Sequence, residues 1–162
     1  MEEAYENEKT RAIGVSNFYP DRFVDLSHFC KIQPMINQVE THVFQQQKTA
    51  KEIMKKHNTQ IMSWGPFAEG KNNYFHNEKL IEIGKKYGKS VAQVALRFLT
   101  QEGVVVIPKS THKNRMEENF NIFDFELAED DLNKIRALDT GKSLFCDHYS
   151  PEFVEFIVNY KI

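Results

Sequence analysis

Short apolar runs alternate along this chain with longer segments in which apolar residues recur at helical spacing. The apolar runs predict four strands, at residues 12–16, 35–39, 60–64 and 104–108. The periodic segments between and after them predict helices at residues 20–30, 45–57, 77–87, 90–99, 113–121 and 129–138. The last strand is apolar throughout, as expected of a strand that is buried on both faces.

Local signals support several of these helix boundaries. Ser90 and Gln93 have the spacing of a capping box, which predicts that a helix begins there. Gly88 follows the preceding periodic segment and Gly141 follows the last one, as expected of glycines that end helices. The chain therefore has regular alternation of strands and helices, which favours an α/β fold with a parallel sheet.

The number of strands limits the architecture. Four strands are too few to close a barrel, but they are enough for half of one. A small doubly wound sheet and a domain completed by another chain are the alternatives. Residues 1–9 resemble the last turns of an amphipathic helix with no capping residue before them. We therefore expect residues 1–162 to form one domain that is a truncated or split product.

Composition excludes several classes of function. A net charge of −2 gives no electrostatic reason to expect nucleic acid or an anionic membrane surface. No apolar run approaches the ~18 residues that span a bilayer, and the acidic N-terminal segment lacks the apolar core of a secretory signal. Cys30 and Cys146 have neither metal-ligand spacing nor a disulfide-rich context. We expect two free thiols, no metal site and a cytoplasmic location.

Polar or aromatic residues follow every predicted strand. The first strand is followed by Ser16 and Asn17, the second by residues 38–42, the third by Trp64 and the fourth by Lys109 and Ser110. In parallel α/β proteins, ligands bind at the carboxyl ends of the strands. The sequence therefore predicts a ligand site along this edge of the sheet.

The same residues carry a resemblance to a known family. Residues 13–18 (IGVSNF), 37–40 (NQVE), 63–67 (SWGPF) and 107–110 (IPKS) resemble the successive cofactor motifs of aldo-keto reductases, in family order. The resemblance covers essentially the whole chain, and the Trp-Gly-Pro run is closer to the bacterial-type members. It implies the C-terminal half of a (β/α)₈ barrel, with NADPH as cofactor. The residues assigned to the cofactor through it are Ser16, Asn17, Gln38, Trp64, Gly65, Pro66, Phe67, Lys109, Ser110, Arg115, Glu118 and Asn119.

At the nicotinamide end, the resemblance implies three hydrogen-bonding residues and one stacking residue. Ser16, Asn17 and Gln38 would bind the carboxamide, which needs both donors and acceptors. Trp64 would stack on the nicotinamide ring. Other interpretations stay open: a turn after the strand for Ser16 and Asn17, a buried amide for Gln38 and a core residue for Trp64.

At the adenosine end, the resemblance implies a phosphate site. Lys109, Ser110 and Arg115 would hold the 2′-phosphate, because two cations and a hydroxyl suit a dianion. Glu118 and Asn119 would contact the adenine. The alternative interpretation is solvated surface charge, for Arg115 and for Glu118.

The acid–base residues of the family are not found in this chain. The family uses an Asp, Tyr, Lys and His quartet from the first half of the barrel, in which the Tyr is the proton donor. Tyr19 and His42 do not form a substitute set, and we expect a surface or packing role for His42. Two hypotheses follow: a part of an NADPH-dependent oxidoreductase that reduces aldehydes or ketones, or a catalytically inactive half-barrel that binds NADPH or assembles with itself.

Half of a barrel also has exposed sheet surfaces. The strands at residues 12–16 and 104–107 would each lack a neighbour. We expect the inner face to expose apolar side chains, namely those of Ile13, Val15, Ile36, Ile61 and Val105. The sequence therefore predicts an oligomer, most simply a homodimer, or a partner that supplies the missing half.

Overall fold

A four-stranded parallel sheet forms the centre of the computed structural model, which describes residues 1–147 and 149–161. Its strands lie side by side in chain order, so each connection returns the chain to the adjacent position. The strands are β1 (Gly14–Ser16), β2 (Ile36–Glu40), β3 (Gln60–Trp64) and β4 (Val105–Val106). This arrangement confirms the predicted parallel α/β sheet.

Helices connect the strands and extend beyond the last one. Those of the described residues are α1 (Glu2–Glu6), α2 (Pro20–Phe29), α3 (Lys48–Lys56), α4 (Glu78–Tyr87), α5 (Val91–Gln101), α6 (Lys113–Phe120), α7 (Glu129–Arg136) and α8 (Pro151–Val158). Two 3₁₀ turns, at Ala68–Gly70 and Tyr74–His76, lie between β3 and α4. Helix α8 and both 3₁₀ turns were not predicted from the sequence. No helix in the described part of the chain is long and apolar enough to cross a membrane.

The helix boundaries follow from local chemistry. The capping box of α5 is confirmed: the Ser90 hydroxyl accepts from the Gln93 backbone N–H, and the Gln93 side chain accepts from the Ser90 backbone N–H. Gly88 ends α4 with a φ of 64°, in the left-handed region that glycine adopts without strain. Helices α4 and α5 therefore follow each other closely and pack as an adjacent pair.

The strand register decides which side chains face the helices. Val15, Asn37 and Ile61 lie side by side across three strands. Asn37 is fully buried and Ile61 is 3% exposed, so this is the helix-covered face. Val15 packs against the core, and Ile13, two residues earlier, is 7% exposed. The prediction that Ile13, Val15 and Ile61 line the open face is therefore wrong, because alternate residues of a strand point to opposite faces.

The open face is more polar than predicted. It carries Gly14, Ile36 and Gln60 in one row, and Ser16, Gln38, Met62 and Val105 in the next. Ile36 and Val105 are thus the two residues of the predicted apolar face that do lie there. The close approach of two strands explains Gly14, because a Cβ at that position would lie 2.6 Å from the Ile36 carbonyl oxygen.

The two edge strands are shorter than predicted. Strand β1 has three residues and β4 has two, where the sequence predicts five for each. Among the described residues each edge strand pairs with one neighbour only, so fewer of its residues qualify as strand. The inner strands β2 and β3 pair over five residues. The edges predicted at residues 12–16 and 104–107 are therefore present, but they are short.

A segment after α7 covers part of the open face. The buried Glu40 carboxylate, at the end of β2, accepts hydrogen bonds from the Ser143 hydroxyl and from the Leu144 backbone N–H. Phe145 then packs against Trp64, with ring centroids 5.0 Å apart. The sequence analysis did not predict such a cover, and the expectation of an exposed inner face is wrong at the carboxyl end of the sheet.

Candidate cofactor site

Four predicted site residues meet at the carboxyl ends of β1, β2 and β3. The Ser16 hydroxyl donates to the Gln38 carbonyl oxygen at 3.0 Å, and the Asn17 backbone N–H donates to the same oxygen at 2.9 Å. The Trp64 indole N–H donates to the Asn17 side-chain oxygen at 2.8 Å. The Gln38 amide donates to the Met62 sulfur at 3.1 Å. We call Ser16, Asn17, Gln38 and Trp64 the strand-end cluster.

Backbone conformation turns the chain at this cluster. Asn17 has a φ of 57°, in the left-handed region that asparagine tolerates better than most residues. Gly65, directly after Trp64, has a φ of 63°. The interpretation of residues 16 and 17 as a turn is thus correct, yet the turn also brings Asn17 to Trp64. A turn and a cofactor-binding role are therefore compatible for Ser16 and Asn17.

Trp64 is half-buried and does not belong to the interior of the core. Phe145 meets it edge-on at 5.0 Å, and the Lys71 ammonium lies 3.9 Å from the centre of the Phe145 ring. A cation over an aromatic face is attracted by the ring quadrupole. Phe145 and Lys71 are therefore neighbours of the site that the sequence analysis did not identify.

The remaining motif after β3 leads away from the strand-end cluster. The Pro66 carbonyl oxygen accepts from the Tyr74 hydroxyl at 2.8 Å, and Phe67 packs against Phe75 with ring centroids 5.7 Å apart. Ala68 and Glu69 adopt φ values of 49° and 50°, which are unusual for residues with a side chain. The backbone of residues 66–69 is therefore constrained, and it connects Trp64 to a second region of the site.

That second region is a cleft of about 600 Å³ beyond β4, which we call the basic cleft. Six of the twelve predicted site residues line it: Phe67, Lys109, Ser110, Arg115, Glu118 and Asn119. The sequence analysis missed the other lining residues, which are Glu69, Gly70, Phe75, Ala92, Thr111 and His112. Thr111 and His112 stand between Ser110 and α6, so their position in the sequence was a usable signal.

The cations of the basic cleft are exposed. Within residues 1–147 and 149–161, Lys109 and Arg115 form no ion pair. The Ser110 hydroxyl accepts from the His112 backbone N–H at 3.1 Å, which shapes the turn into α6. Helix α6 has no side-chain cap at its N-terminus, so its first N–H groups stay open to an anion.

Glu118 has a structural partner. Its carboxylate accepts a hydrogen bond from the Ser90 hydroxyl, and Gln93 donates to the Glu118 carbonyl oxygen at 3.3 Å. These bonds connect the C-terminal part of α6 to the N-terminus of α5. Glu118 is therefore more than a solvated surface acid, because its carboxylate is held at the wall of the basic cleft.

A buried pair lies beside the strand-end cluster. His42 is fully buried, its Nε2–H donates to Glu40 at 2.8 Å, and its Nδ1 accepts from the Phe44 backbone N–H at 3.2 Å. Burial alone would raise the pKa of Glu40, but hydrogen bonds from His42, Ser143 and Leu144 hold that pKa below its ordinary value of 4.5. The packing role expected for His42 fits these contacts.

Tyr19 has the wrong electrostatics for a proton donor. Burial, with the nearby Glu40 carboxylate, raises the pKa of Tyr19 to about 12. A general acid works best when its pKa is close to the operating pH. The described residues also contain no group of three or more His, Cys, Asp or Glu side chains that would hold a metal ion. A pKa this far above neutral pH makes Tyr19 a poor proton donor.

Comparisons with known proteins identify a family for this chain. The sequence model of the Aldo/keto reductase family matches residues 1–140. The chain belongs to this family. A curated relative, the 9,11-endoperoxide prostaglandin H2 reductase of Trypanosoma cruzi, is 47% identical over 145 residues, which cover 89% of this chain and 51% of the relative.

Solved structures of aldo-keto reductases share the fold. An aldo-keto reductase from a Medee basin deep-sea metagenome library has a TM-score of 0.87 and 39% identity, over 92% of this chain and 55% of the other. An aldo-keto reductase of the silkworm Bombyx mori, complexed with NADPH, has a TM-score of 0.82 and 33% identity, over 88% of this chain and 46% of the other.

The matches cover most of this chain but only part of each relative. The chain spans about half the length of the curated relatives it matches. Its four parallel strands and their helices correspond to part of the aldo-keto reductase barrel, as the sequence predicts. Both the family resemblance and the fold class are thus confirmed, whereas the individual cofactor-binding residues stay predictions.

Proposed function

We propose that this chain is the cofactor-binding part of an NADPH-dependent oxidoreductase that reduces aldehydes or ketones to alcohols. The observation that carries the proposal is that two chemically different clusters follow the carboxyl ends of the strands, one after β1, β2 and β3 and the other after β4. The strand-end cluster offers amide, hydroxyl and indole groups, and the basic cleft offers unpaired cations. A dinucleotide has a neutral amide-bearing ring at one end and phosphate at the other, and the Bombyx mori neighbour is complexed with NADPH.

At the strand-end cluster, Ser16, Asn17 and Gln38 bind the nicotinamide carboxamide. Their side chains contain both donors and acceptors, as this group requires. Trp64 is half-buried, so part of its ring is available for stacking on the nicotinamide. Gly65 and Pro66 direct the chain from this ring towards the basic cleft.

At the basic cleft, Lys109, Ser110 and Arg115 bind the 2′-phosphate. The two cations form no ion pair among the described residues, and the uncapped N-terminus of α6 adds backbone donors. Glu118, held by Ser90, and Asn119 form the adenine wall, with Phe67 on the side of β3. This arrangement favours NADPH over NADH, which lacks the phosphate.

The bound cofactor supplies hydride to a carbonyl carbon. The residues of this chain bind and orient the cofactor, and the raised pKa of Tyr19 makes it a poor source of the proton. The acid–base quartet of the family comes from a part of the barrel that these residues do not include. The rate of carbonyl reduction by the purified chain should therefore be lower than that of an enzyme with the quartet by at least ~10²–10⁴-fold, which is what general acid catalysis contributes.

Calorimetric titration tests the proposal. The purified chain should bind NADPH more tightly than NADH, and it should not reduce a generic aldehyde with NADPH. Absence of binding by either dinucleotide would contradict the cofactor assignment. Turnover that is abolished by a substitution within this chain would contradict the assignment of the acid–base groups to another part of the protein.

The alternative function is an inactive half-barrel that assembles with itself, and exposed apolar surface favours assembly. On α8, Val154, Phe156, Ile157 and Val158 are 43–77% exposed, and both sheet edges lack a second neighbour. Light scattering at micromolar concentration should show a homodimer or larger assembly of the 19.0 kDa chain, reduced by Ile157→Glu. A cooperative monomer would contradict this. We place the protein in the cytoplasm, because Cys30 and Cys146 form no disulfide.

A further inference from the structure

The strand-end cluster contains a hydrogen bond between its two most different members. The Trp64 indole N–H donates to the Asn17 side-chain oxygen at 2.8 Å, although the residues are 47 positions apart. An indole nitrogen can only donate, so the oxygen of the Asn17 amide must face Trp64. The orientation of this amide is thereby fixed by chemistry, and its NH₂ group is the part left for a ligand.

The neighbouring groups are fixed in the opposite sense. The Ser16 hydroxyl donates its hydrogen to the Gln38 carbonyl oxygen, so the Ser16 oxygen can only accept from a ligand. The Gln38 amide donates to the Met62 sulfur, which leaves its side-chain oxygen as an acceptor. No other partner of these three side chains lies among the described residues. The cluster therefore offers the Asn17 NH₂ group as a donor, the Ser16 oxygen as an acceptor and, from Gln38, the side-chain oxygen together with one remaining N–H.

A carboxamide has the complementary set of one carbonyl oxygen and two N–H donors. We infer that Trp64 is a positioning residue as well as a stacking surface: its N–H locks the Asn17 amide so that Asn17 donates to the carboxamide oxygen. The carboxamide NH₂ group then faces Ser16 and Gln38. This inference rests on the proposed function, and what it adds is that the orientation of the Asn17 amide depends on the Trp64 N–H.

The polarity can be tested with a cofactor analogue. The 3-acetylpyridine analogue of NADP⁺ keeps the carbonyl oxygen and replaces the NH₂ group with a methyl group. Asn17→Gly removes the side chain without cost to the left-handed backbone, where φ is 57°. Asn58→Gly is the matched control, because Asn58 has a φ of 54° and lies at the opposite ends of the strands, before β3.

Calorimetry should give different patterns of weakened binding for Asn17→Gly and Ser16→Ala. Asn17→Gly should weaken NADP⁺ and the analogue by the same factor, about five- to tenfold for a lost hydrogen bond. Ser16→Ala should weaken NADP⁺ by a similar factor and leave the analogue within about twofold, since the analogue has no N–H for Ser16 to accept. Asn58→Gly should change neither. If Asn17→Gly weakens NADP⁺ alone, Asn17 accepts instead of donating and the inference is wrong.

A double-mutant cycle tests the part played by Trp64. Trp64→Phe keeps an aromatic ring and removes the N–H, which releases the Asn17 amide. In that background Asn17→Gly should weaken the analogue by no more than about twofold, compared with the five- to tenfold expected beside Trp64. An unchanged effect would show that Trp64 does not position Asn17.

A fragment of the cofactor separates the two possible failures. Adenosine 2′,5′-bisphosphate lacks the nicotinamide, so every variant should bind it as the unmodified chain does. If the unmodified chain binds neither this fragment nor NADP⁺, the proposed function fails and the inference fails with it. If it binds both while the substitutions show no polarity, only the inference fails.

Discussion

At the strand-end cluster the candidate ligand groups are bonded to one another, whereas in the basic cleft the cations stand in solvent. Asn17 and Trp64 share a 2.8 Å hydrogen bond, while Lys109 and Arg115 have no ion pair among the described residues. The difference reflects the ligand groups. A neutral amide binds tightly only to groups already in place, but a dianion attracts exposed cations across several ångströms.

The two regions therefore differ in what they contribute to binding. The strand-end cluster orients the ligand, and the basic cleft attracts it. Side chains ordered before binding lose little entropy when a ligand arrives, so the strand-end cluster can fix a ring orientation. Exposed arginine and lysine lose rotamer freedom on binding, and charge-assisted hydrogen bonds offset that loss. The two regions should therefore respond differently to mutation and to salt.

The largest effect should come from the basic cleft. Arg115→Ala should weaken NADPH about ten- to a hundredfold, because a hydrogen bond to a charged group contributes ~1.5–3 kcal/mol. Binding of NADH should stay within about twofold, since it has no 2′-phosphate. Calorimetric titration of both cofactors measures this, with Arg22→Ala on α2 as the control. Equal weakening of both cofactors would mean that Arg115 is ordinary surface charge.

Salt sharpens the same test. Between about 0.01 M and 0.1 M salt the Debye length falls from ~30 Å to ~10 Å, which screens exposed charges. Affinity for NADPH should fall over this range, and the difference between NADPH and NADH should narrow. The effect of Asn17→Gly should not change with salt, because it involves neutral groups.

A smaller effect should come from Glu40, the buried carboxylate beside the strand-end cluster. Glu40→Gln should lower the free energy of unfolding by about 1–3 kcal/mol, since bonds from His42, Ser143 and Leu144 each lose a charged acceptor. Urea denaturation at pH 7 measures this. Glu52→Gln, on the exposed side of α3, is the control.

The pH dependence of the same variant gives a second measure. The pKa of Glu40 is lower in the folded chain than its ordinary value of 4.5, so the stabilisation is complete above that value. It is lost as the pH falls through the folded-state pKa. The stability difference between the unmodified chain and Glu40→Gln should therefore narrow in acid. A constant difference from pH 7 to acid would show that the Glu40 charge contributes nothing.

The sequence predicted local features well and long-range contacts poorly. The capping box at Ser90 depends on residues three apart and was found directly, whereas the bond between Asn17 and Trp64 depends on the closure of the sheet. The strand face of Ile61 was misassigned because an apolar run does not show which residues face the helices, and the polar Asn37 beside it in the buried row obscured the alternation. Phe145 lies in a segment without periodicity, so nothing local placed it against Trp64.

The smallest expected effect concerns this last contact, and it decides whether the segment after α7 belongs to the strand-end cluster. Phe145→Ala removes an edge-on contact to Trp64 and the ring beneath Lys71. An aromatic pair contributes ~0.5–1.5 kcal/mol beyond area burial, so unfolding should become easier by about that amount. Trp64 is the sole tryptophan of the chain, so a red shift of the emission should report its greater exposure to water.

Binding then separates packing from positioning. If Phe145 holds the Trp64 ring in place, Phe145→Ala should weaken NADPH about two- to threefold, the lower end of what one aromatic contact contributes, and leave adenosine 2′,5′-bisphosphate unchanged. Phe156→Ala, on the exposed helix α8, should alter neither the emission nor the binding. Equal weakening of both ligands would show that the segment supports the whole fold, because the basic cleft would then depend on Phe145 as much as the strand-end cluster does.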